Sequence, residues 1–174
     1  MVDYSAAIPM YVPHENVFID QNQPRWVVIH KTAQPPCPTA QDVAHYFAQD
    51  PARKSAHYIV GLDGTIVQCV AEKDGAGANC CLEAGHDSFW PTGINLNVLT
   101  ISIEHVDPTL NNSTPVTEAQ KRASFALVAD ICRRHKIAAS HIVGHRSINP
   151  VTRSFCPGNY PLEELRRYVR EKKM

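Results

Sequence analysis

The sequence predicts one α/β domain, built on a central mixed β-sheet that is flanked by helices. Its 174 residues are enough for a single domain with a substantial core. Hydrophobic residues make up 44% of the chain and charged residues 20%, as in an ordinary globular protein. Apolar runs of strand length alternate along the chain with segments of helical spacing, which favours a sheet covered by helices.

Four runs carry the strand prediction. The run at 25–30 is apolar on both faces, so we expect a central, buried strand. Segments 55–60 and 65–70 flank Asp63-Gly64, a dipeptide that tolerates positive φ and indicates a hairpin. Leu99–Val106 alternates apolar and polar residues, so we expect one apolar and one polar face on that strand.

Three segments have helical spacing behind a start signal. Thr39 is a good N-cap for the first helix, and Pro161 suits the first turn of the last one. Thr117 begins a capping box that the side chain of Gln120 is expected to complete. Residues 1–24 have little periodicity, so we expect an irregular N-terminal arm. The three helices are predicted at Ala40–Gln49, 118–136 and Leu162–Lys172.

Composition argues against several functions. The formal net charge is zero, so nothing points to nucleic acid or to an acidic membrane surface as a partner. No apolar run approaches the ~20 residues that a membrane-spanning helix needs. Met1–Val12 lacks a basic start followed by an apolar core, so no secretory signal is visible.

The six cysteines are too sparse for a disulfide scaffold in a chain of this length. Cys132 lies in a helical apolar pattern and is expected to be a buried thiol. The sequence leaves open whether Cys80 or Cys81 pairs with Cys37 or Cys69 in an oxidising compartment.

A histidine and a cysteine, His145 and Cys156, lie eleven residues apart around a short polar loop. Both residue types are preferred zinc ligands, and catalytic zinc sites use three protein ligands and keep a fourth position open. The natural third ligand is His30, because it ends the first apolar strand and is therefore held rigidly. Two alternatives stay open at this point: His141 competes with His145, and Cys156 can be a plain buried thiol.

These residues belong to a larger set of motifs, and the order of the motifs along the chain is that of a known protein family. The set is Trp26–His30, His57–Val60 with Asp63–Thr65, Leu99–Val106 with Glu104, Gly144–Arg146, and Cys156–Gly158. Over about residues 24–170 it resembles the zinc-dependent N-acetylmuramoyl-L-alanine amidases, a family that includes T7 lysozyme and the peptidoglycan recognition proteins. The resemblance implies that family's α/β fold, with 1–24 as an N-terminal arm and 25–174 as the zinc amidase catalytic domain.

The same resemblance implies a zinc site and a base. His30, His145 and Cys156 match the family's Zn²⁺ ligands, with Cys156 bound as a thiolate. Zinc held in this way acidifies a water and polarises an amide carbonyl. Glu104 is the candidate base, because a glutamate in this strand assists the zinc water in some bacterial members. The alternative for Glu104 is an exposed carboxylate in an ordinary ion pair.

The chain departs from the phage-type members at two positions. They have a tyrosine just before the position of His57 and a lysine two residues before the cysteine ligand, where this chain has Ala56 and Ser154. Ser154 is expected to donate a hydrogen bond to the tetrahedral oxyanion, although it supplies no positive charge. Recognition proteins that keep activity carry a small hydroxyl residue there. Arg153 and Lys31 are nearby spare cations.

Four further residues are candidates for substrate binding. His57 either faces the site or is a core histidine bonded to backbone. Trp90, in the long loop at 71–93, is expected to form a groove wall that stacks on sugar or peptide, with packing of the loop as the alternative. Asn95 and Asn97 precede the next strand and are expected to bond peptide backbone.

We therefore predict a zinc amidase that cuts the bond between N-acetylmuramic acid and L-alanine in peptidoglycan, a cell-wall lytic enzyme such as a phage endolysin. The expected partner is peptidoglycan or a muropeptide, and we expect a monomer. Two alternatives share the fold: a non-catalytic peptidoglycan-binding module, and a cytoplasmic amidase that recycles anhydro-muropeptides. The missing signal fits phage-type release, export by another route, or a cytoplasmic recycling enzyme.

Overall fold

A computed structural model describes residues 2–33, 36–79 and 81–172. Within these residues the chain forms eight strands and three α-helices. The strands are β1 (Ile8–Pro9), β2 (Val17–Phe18), β3 (Trp26–Lys31), β4 (Tyr58–Val60), β5 (Ile66–Gln68), β6 (Gly75–Ala76), β7 (Thr100–His105) and β8 (Ile142–Gly144). The helices are α1 (Ala40–Gln49), α2 (Glu118–Arg134) and α3 (Leu162–Lys172).

The main sheet of the described chain has six strands in the order β1-β5-β4-β7-β3-β8. Strand β3 lies between β7 and β8 and runs parallel to both. Strands β4 and β5 form an antiparallel hairpin, and β4 continues the sheet parallel to β7. This mixed sheet, flanked by the three helices, confirms the predicted fold class.

The two faces of the sheet are covered differently. Side chains alternate along each strand, so Ile29 and Ile103 share the face that packs against α2 and α3. On the opposite face, Val43 and Phe47 of α1 join a hydrophobic cluster with Ile59 of β4. A cleft opens on that second face, over the ends of β3 and β7.

The predicted element bounds shift by only a few residues. The strand predicted at 25–30 is Trp26–Lys31, and it is buried along its whole length. The first and last helices have their predicted bounds, and the middle helix ends at Arg134. Gly64 has a φ of +87° in the hairpin turn, the conformation that Asp-Gly indicates. No helix in the described part of the chain is long and apolar enough to cross a membrane.

The predicted capping box of α2 is half wrong. The Thr117 hydroxyl does accept a hydrogen bond from the backbone N–H of Gln120, at 3.0 Å. The side chain of Gln120 does not return the bond, because it is buried and donates to the carbonyls of Val60 and Val106 instead. Both halves of such a box are present at α1.

The arm is more regular than expected, since β1 pairs with β5 as the edge strand of the main sheet and β2 pairs with β6. Side-chain bonds add to this pairing: the carboxylate of Asp3 accepts from the backbone N–H of Glu72 at 2.9 Å. Strand β5 therefore gains a parallel neighbour at an edge that would otherwise be unpaired.

The cysteine predictions are partly answered. Cys37, Cys69 and Cys81 are free cysteines, and Cys132 is buried as predicted. Cys80 lies outside the described residues, so its pairing stays a prediction.

A buried polar network joins Glu72, which follows β5, to the end of α2. The Glu72 carboxylate accepts from the hydroxyl of Tyr58 at 2.6 Å, from Nη2 of Arg134 at 2.7 Å and from Nε2 of His135 at 2.5 Å. Burial raises the pKa of Glu72, but the hydrogen bonds from these partners outweigh it and lower that pKa to about 2. The ionised carboxylate therefore stabilises the folded chain.

This network predicts a specific loss of stability in acid. The folded-state pKa of Glu72 is about 2 and its usual value is 4.5, so its contribution is present above about pH 5 and is lost as the pH falls towards 2. We expect Glu72→Gln to lower the free energy of unfolding by about 3 kcal/mol at pH 7 and by less than half of that at pH 3, measured by urea denaturation. The exposed control Glu171→Gln should change neither value. An equal loss from Glu72→Gln at both pH values would contradict this account.

Candidate functional site

The register of three parallel strands places the predicted site residues in one row. Glu104 of β7 lies opposite His30 of β3, and Gly144 of β8 lies opposite Ile29. His145 directly follows Gly144 and so continues the row on the other side of His30. Because neighbouring strands are about 4.8 Å apart, the side chains at these three strand ends meet.

Two imidazoles and a thiol converge at this edge of the sheet. Nδ1 of His30 is 2.9 Å from Nδ1 of His145. One ligand atom from each of His30, His145 and Cys156 lies within 4.8 Å of the other two, and all three side chains are buried. The structure thus brings together the three residues predicted as ligands, in a set that can hold a metal ion.

Burial keeps all three groups uncharged. It lowers the pKa of His145 to about 4, with help from the charge of Arg153, and it lowers the pKa of His30 well below its usual value. Burial, together with the carboxyl of Glu104, raises the pKa of Cys156 to about 12. The thiol therefore stays protonated unless a nearby cation compensates its charge, whereas both imidazoles are already in the neutral form that binds metals.

An amide fixes the orientation of one imidazole. Oδ1 of Asn149 accepts from Nε2 of His145 at 3.0 Å, and Nδ2 of Asn149 donates to the carbonyl of Cys81 at 2.7 Å. The proton of His145 therefore lies on Nε2, and its Nδ1 presents a lone pair to His30. Nε2 of His30 has no hydrogen-bond partner within the described residues.

The loop that carries Cys156 closes on the ends of β8 and β3. Gly144 permits this approach, because a Cβ there would lie 2.5 Å from Cδ of Pro157. The N–H of Arg146 donates to the carbonyl of Cys156 at 3.0 Å. The N–H of Lys31 donates to Sγ of Cys156 at 3.5 Å. The end of β3 and the short turn after β8 thereby hold the thiol beside the imidazoles.

Lys31 is not a spare cation. Its ammonium is buried 2.6 Å from Oδ2 of Asp107, which is also buried. Its remaining bonds are to the carbonyls of Asn112 and Thr114 and to Oδ1 of Asn159. These partners occupy all three N–H donors of the ammonium. Lys31 therefore ties the loops around the thiol together instead of facing the cleft as a free charge.

Glu104 lines a cleft of about 800 Å³ together with the three buried groups. Its Oε1 lies 4.0 Å from Nδ1 of His30, and its Oε2 has no hydrogen-bond partner in the described chain. Burial raises the pKa of Glu104 to about 8, although Arg153 opposes the shift. Glu104 is thus a carboxyl that is largely neutral at pH 7 beside the imidazoles rather than an exposed carboxylate in an ordinary ion pair.

The cleft continues along β7 beyond Glu104. Asn79 lines it and donates from Nδ2 to the hydroxyls of Thr100 at 2.9 Å and of Ser102 at 3.0 Å. Arg53, which follows α1, lines the same cleft. Since Asn79 is bonded to Ser102, two residues before Glu104, the cleft extends from Glu104 towards the start of β7.

His57 and Trp90 are core residues and not the substrate contacts expected from sequence. His57 is fully buried: its Nδ1 accepts from the N–H of Ser102 at 3.1 Å, and its Nε2 donates to the carbonyl of Asp74 at 2.9 Å. Trp90 is 3% exposed, and its indole N–H donates to the hydroxyl of Ser147 at 3.2 Å. Neither side chain reaches the cleft, because both are held inside by backbone or core partners.

The remaining predicted residues divide between the cleft and its surroundings. Asn97 lines the cleft, and its Oδ1 accepts from the N–H of Asn79 at 2.7 Å. Asn95 does not line it, since its side chain caps the short 3₁₀ turn that contains Asn97. Ser154, expected to contact the oxyanion, is exposed and lines a second cavity of about 690 Å³. Arg153 lines the cleft in its place.

Sequence reasoning assigned no role to Asn149 or His105. The position of Asn149, four residues after His145 in a polar loop, is the signal that was available. His105 donates from Nδ1 to the carbonyl of His30 at 2.9 Å and accepts from the hydroxyl of Ser124 at 2.7 Å. It thereby fixes the end of β3 to α2, on the face of the sheet opposite Glu104. No pattern in the sequence predicted that contact.

The sequence and the fold match a known class of enzyme. The sequence profile described as N-acetylmuramoyl-L-alanine amidase matches residues 20–159. That match spans most of the chain, so the protein belongs to the N-acetylmuramoyl-L-alanine amidase family. Its enzyme class is that of amidases that act on peptidoglycan. Among curated proteins, none matches the sequence.

Solved structures share the fold. A mutant endolysin from Bacillus subtilis superimposes with a TM-score of 0.69 at 18% identity, covering 97% of this chain and 99% of that one. AmpD gives a TM-score of 0.68 at 23% identity, with 97% and 98% covered. AmiD from E. coli, solved with anhydro-N-acetylmuramic acid-L-Ala-D-gamma-Glu-L-Lys, gives 0.64 at 26% identity, with 84% of this chain and 57% of AmiD covered.

The buried Lys31–Asp107 pair predicts a large effect of a single substitution. Lys31→Met leaves the carboxylate of Asp107 buried without its cation, so we expect a loss of about 3–5 kcal/mol in the free energy of unfolding, measured by urea denaturation. Lys54→Met is the matched control, because Lys54 lines the same cleft but is half exposed and lies 3.5 Å from Asp50. That change should cost less than about 1 kcal/mol. Similar losses in the two variants would refute the structural role of Lys31.

Proposed function

We propose that the protein is a zinc-dependent, cell-wall lytic amidase that hydrolyses the bond between N-acetylmuramic acid and L-alanine in peptidoglycan. The observation that carries this proposal is the convergence of His30, His145 and Cys156 beside Glu104 in an open cleft. Membership of the amidase family supports the choice of bond.

The donor set fits zinc. Two imidazoles are held neutral by burial, one presents a bare Nδ1, and the thiol is placed where only a cation would ionise it. Nitrogen and sulfur donors in a set of three leave a fourth position open. When bound by His30, His145 and Cys156, zinc supplies a Lewis acid that acidifies a water and polarises a carbonyl.

Glu104 is the residue that we propose for proton transfer during hydrolysis. We assign it the role of taking a proton from the attacking water and returning that proton to the leaving amine nitrogen. A carboxyl whose pKa is raised by burial to about 8 is suited to both steps, because near neutral pH it can both accept a proton and give it up again. Its place opposite His30 in the strand register keeps it within one water's reach of the ligand site.

The cleft wall suits an acidic peptide. Arg53 and Lys54 line it, while the carboxyl of Glu104 is largely neutral at pH 7. A stem peptide with a gamma-linked Glu, as in the compound bound to AmiD, carries a free α-carboxylate. Amides of Asn79 and Asn97 also line the cleft and offer bonds to peptide backbone. We propose that the peptide lies along this wall, on the side of Glu104 away from Cys156.

The binding-module alternative is less well supported. Recognition proteins that bind without cutting typically lack the cysteine ligand, whereas Cys156 is present and placed beside both imidazoles. The recycling alternative concerns the substrate and not the site, and the chain resembles both endolysins and AmpD in fold. Rates of alanine release from intact cell wall and from soluble anhydro-muropeptide separate the two: we expect faster release from the wall.

Removal of one ligand is the direct test of the metal. Wild-type protein is expected to contain one zinc per chain by elemental analysis and to release N-terminal alanine from purified wall. Cys156→Ala should lose both. Cys69→Ala is the matched control, since Cys69 is also a buried free thiol but lies in the cluster under α1. Wall cleavage by a zinc-free Cys156→Ala protein would contradict the assignment of Cys156 as a ligand of a catalytic zinc.

Glu104→Gln separates metal binding from catalysis. The variant keeps the shape of the side chain and all three ligands but loses the proton acceptor. We expect zinc content to stay at the wild-type level while kcat for alanine release falls about 10²–10⁴-fold. Zinc content is read by elemental analysis and release by amine labelling. Unchanged kcat would show that Glu104 does not transfer the proton.

A further inference from the structure

The turn that carries Cys156 also carries a cation into the cleft. Four basic residues line the cleft in the described chain: Lys31, Arg53, Lys54 and Arg153. The ammonium of Lys31 is held in a buried ion pair with Asp107 and is therefore not free to bind a ligand in the cleft. Arg153 differs from the remaining two because it belongs to the same short loop as the thiol. The backbone position of this exposed residue relative to the thiol is therefore fixed by that loop.

Backbone hydrogen bonds fix Arg153 with respect to two predicted ligands. Its N–H donates to the carbonyl of Asn149 at 3.0 Å, and its carbonyl accepts from the N–H of Cys156 at 2.9 Å. The side chain of Asn149 in turn holds His145. Glu83 braces the preceding residues, accepting from the N–H of Val151 at 2.9 Å.

The charge of Arg153 reaches the whole site. It adds to the lowering of the pKa of His30 and of His145, and it opposes the rise in the pKa of Glu104 and of Cys156. Its guanidinium donates to the carbonyl of Thr152 at 3.2 Å. No carboxylate of the described residues forms an ion pair with it. Since a guanidinium has five N–H donors, several stay available for a negative group in the cleft.

We propose that Arg153 is a catalytic residue that stabilises the oxyanion of the tetrahedral intermediate. This rests on the proposed function. As the water oxygen bonds to the carbonyl carbon, the π electron pair moves onto the carbonyl oxygen, and the water proton passes to Glu104. When the C–N bond breaks, the pair returns to form the carbonyl, and the nitrogen takes the proton from Glu104. Arg153 donates N–H to the oxygen while it is charged.

The proposal explains a departure in the sequence. Phage-type relatives have a lysine at the position of Ser154, but in this chain Ser154 lines the second cavity. The bond from the N–H of Cys156 to the carbonyl of Arg153 closes a tight turn between them. Within that turn it is Arg153, one residue earlier, that lines the cleft.

The first test removes the charge and then restores it. Arg153→Gln should lower kcat/KM for alanine release about 100-fold, mostly in kcat, while zinc content and Tm stay as in wild type. Arg153→Lys should recover most of the rate, because it restores a cation at the same position. Lys136→Gln is the matched control, since it removes one exposed cation that does not line the cleft, and it should change nothing. An Arg153→Gln protein with wild-type kcat would overturn the proposal.

The second test moves the charge by one residue. In Arg153→Gln/Ser154→Lys the cation occupies the position used by phage-type relatives, but the structure directs residue 154 to the other cavity. We therefore expect no recovery. Recovery to the wild-type rate would show that residue 154 reaches the oxyanion and that Arg153 is not specifically placed.

The third test does not depend on turnover. A phosphinate analogue, in which a tetrahedral anionic phosphorus replaces the scissile amide, should bind Arg153→Gln more weakly than wild type by the same factor as the loss in kcat/KM. Equal affinity would contradict direct contact with the oxyanion. Failure of wild-type protein to release alanine from any wall or muropeptide would overturn the proposed function as well. Normal release by both wild type and Arg153→Gln would overturn the role of Arg153 alone.

Discussion

The parallel register of β7, β3 and β8 is the constraint on which the site depends. It sets Glu104 opposite His30 and carries Gly144, and with it His145, to the other side of the same strand end. Three residues that are far apart in sequence meet because three strands end at one edge, where parallel sheets commonly present functional groups. A slip of one residue in either pairing would turn one of these side chains to the face that packs on α2 and α3.

Burial and packing then make that edge of the sheet suitable for binding a cation. The two imidazoles are neutral and the thiol is protonated because the site is buried, so the three groups carry little charge until a cation enters. The loops that close over the site need their own support. The buried ammonium of Lys31 and the carboxylate of Asp107 supply it, since together they satisfy the backbone groups of the loop after β7. A buried pair of this kind is costly to break from one side, which makes it a firm anchor beside the thiol.

Much of the fold could be predicted, because apolar runs and cap residues act locally. The buried strand at 25–30 and the helix behind Thr39 are examples. The ligand residues were recognisable from their types and from the resemblance. Contacts at a distance were not: His57 and Trp90 had the right residue types for a groove, but the sheet and the core enclose them. The conformation of one turn decides that Ser154 lines the second cavity, and a turn of that kind cannot be predicted from a periodic sequence pattern.

The proposed metal ion lies at the end of β3, where His30, His145 and Cys156 converge. The most direct measurement is a crystal structure of the zinc-loaded protein with diffraction recorded on both sides of the zinc absorption edge. We expect one anomalous peak, about 2.0–2.1 Å from Nδ1 of His145 and about 2.3 Å from Sγ of Cys156, with His30 as the third protein ligand. A zinc-loaded crystal with no peak there, and with the imidazoles of His30 and His145 bonded directly to each other, would contradict it.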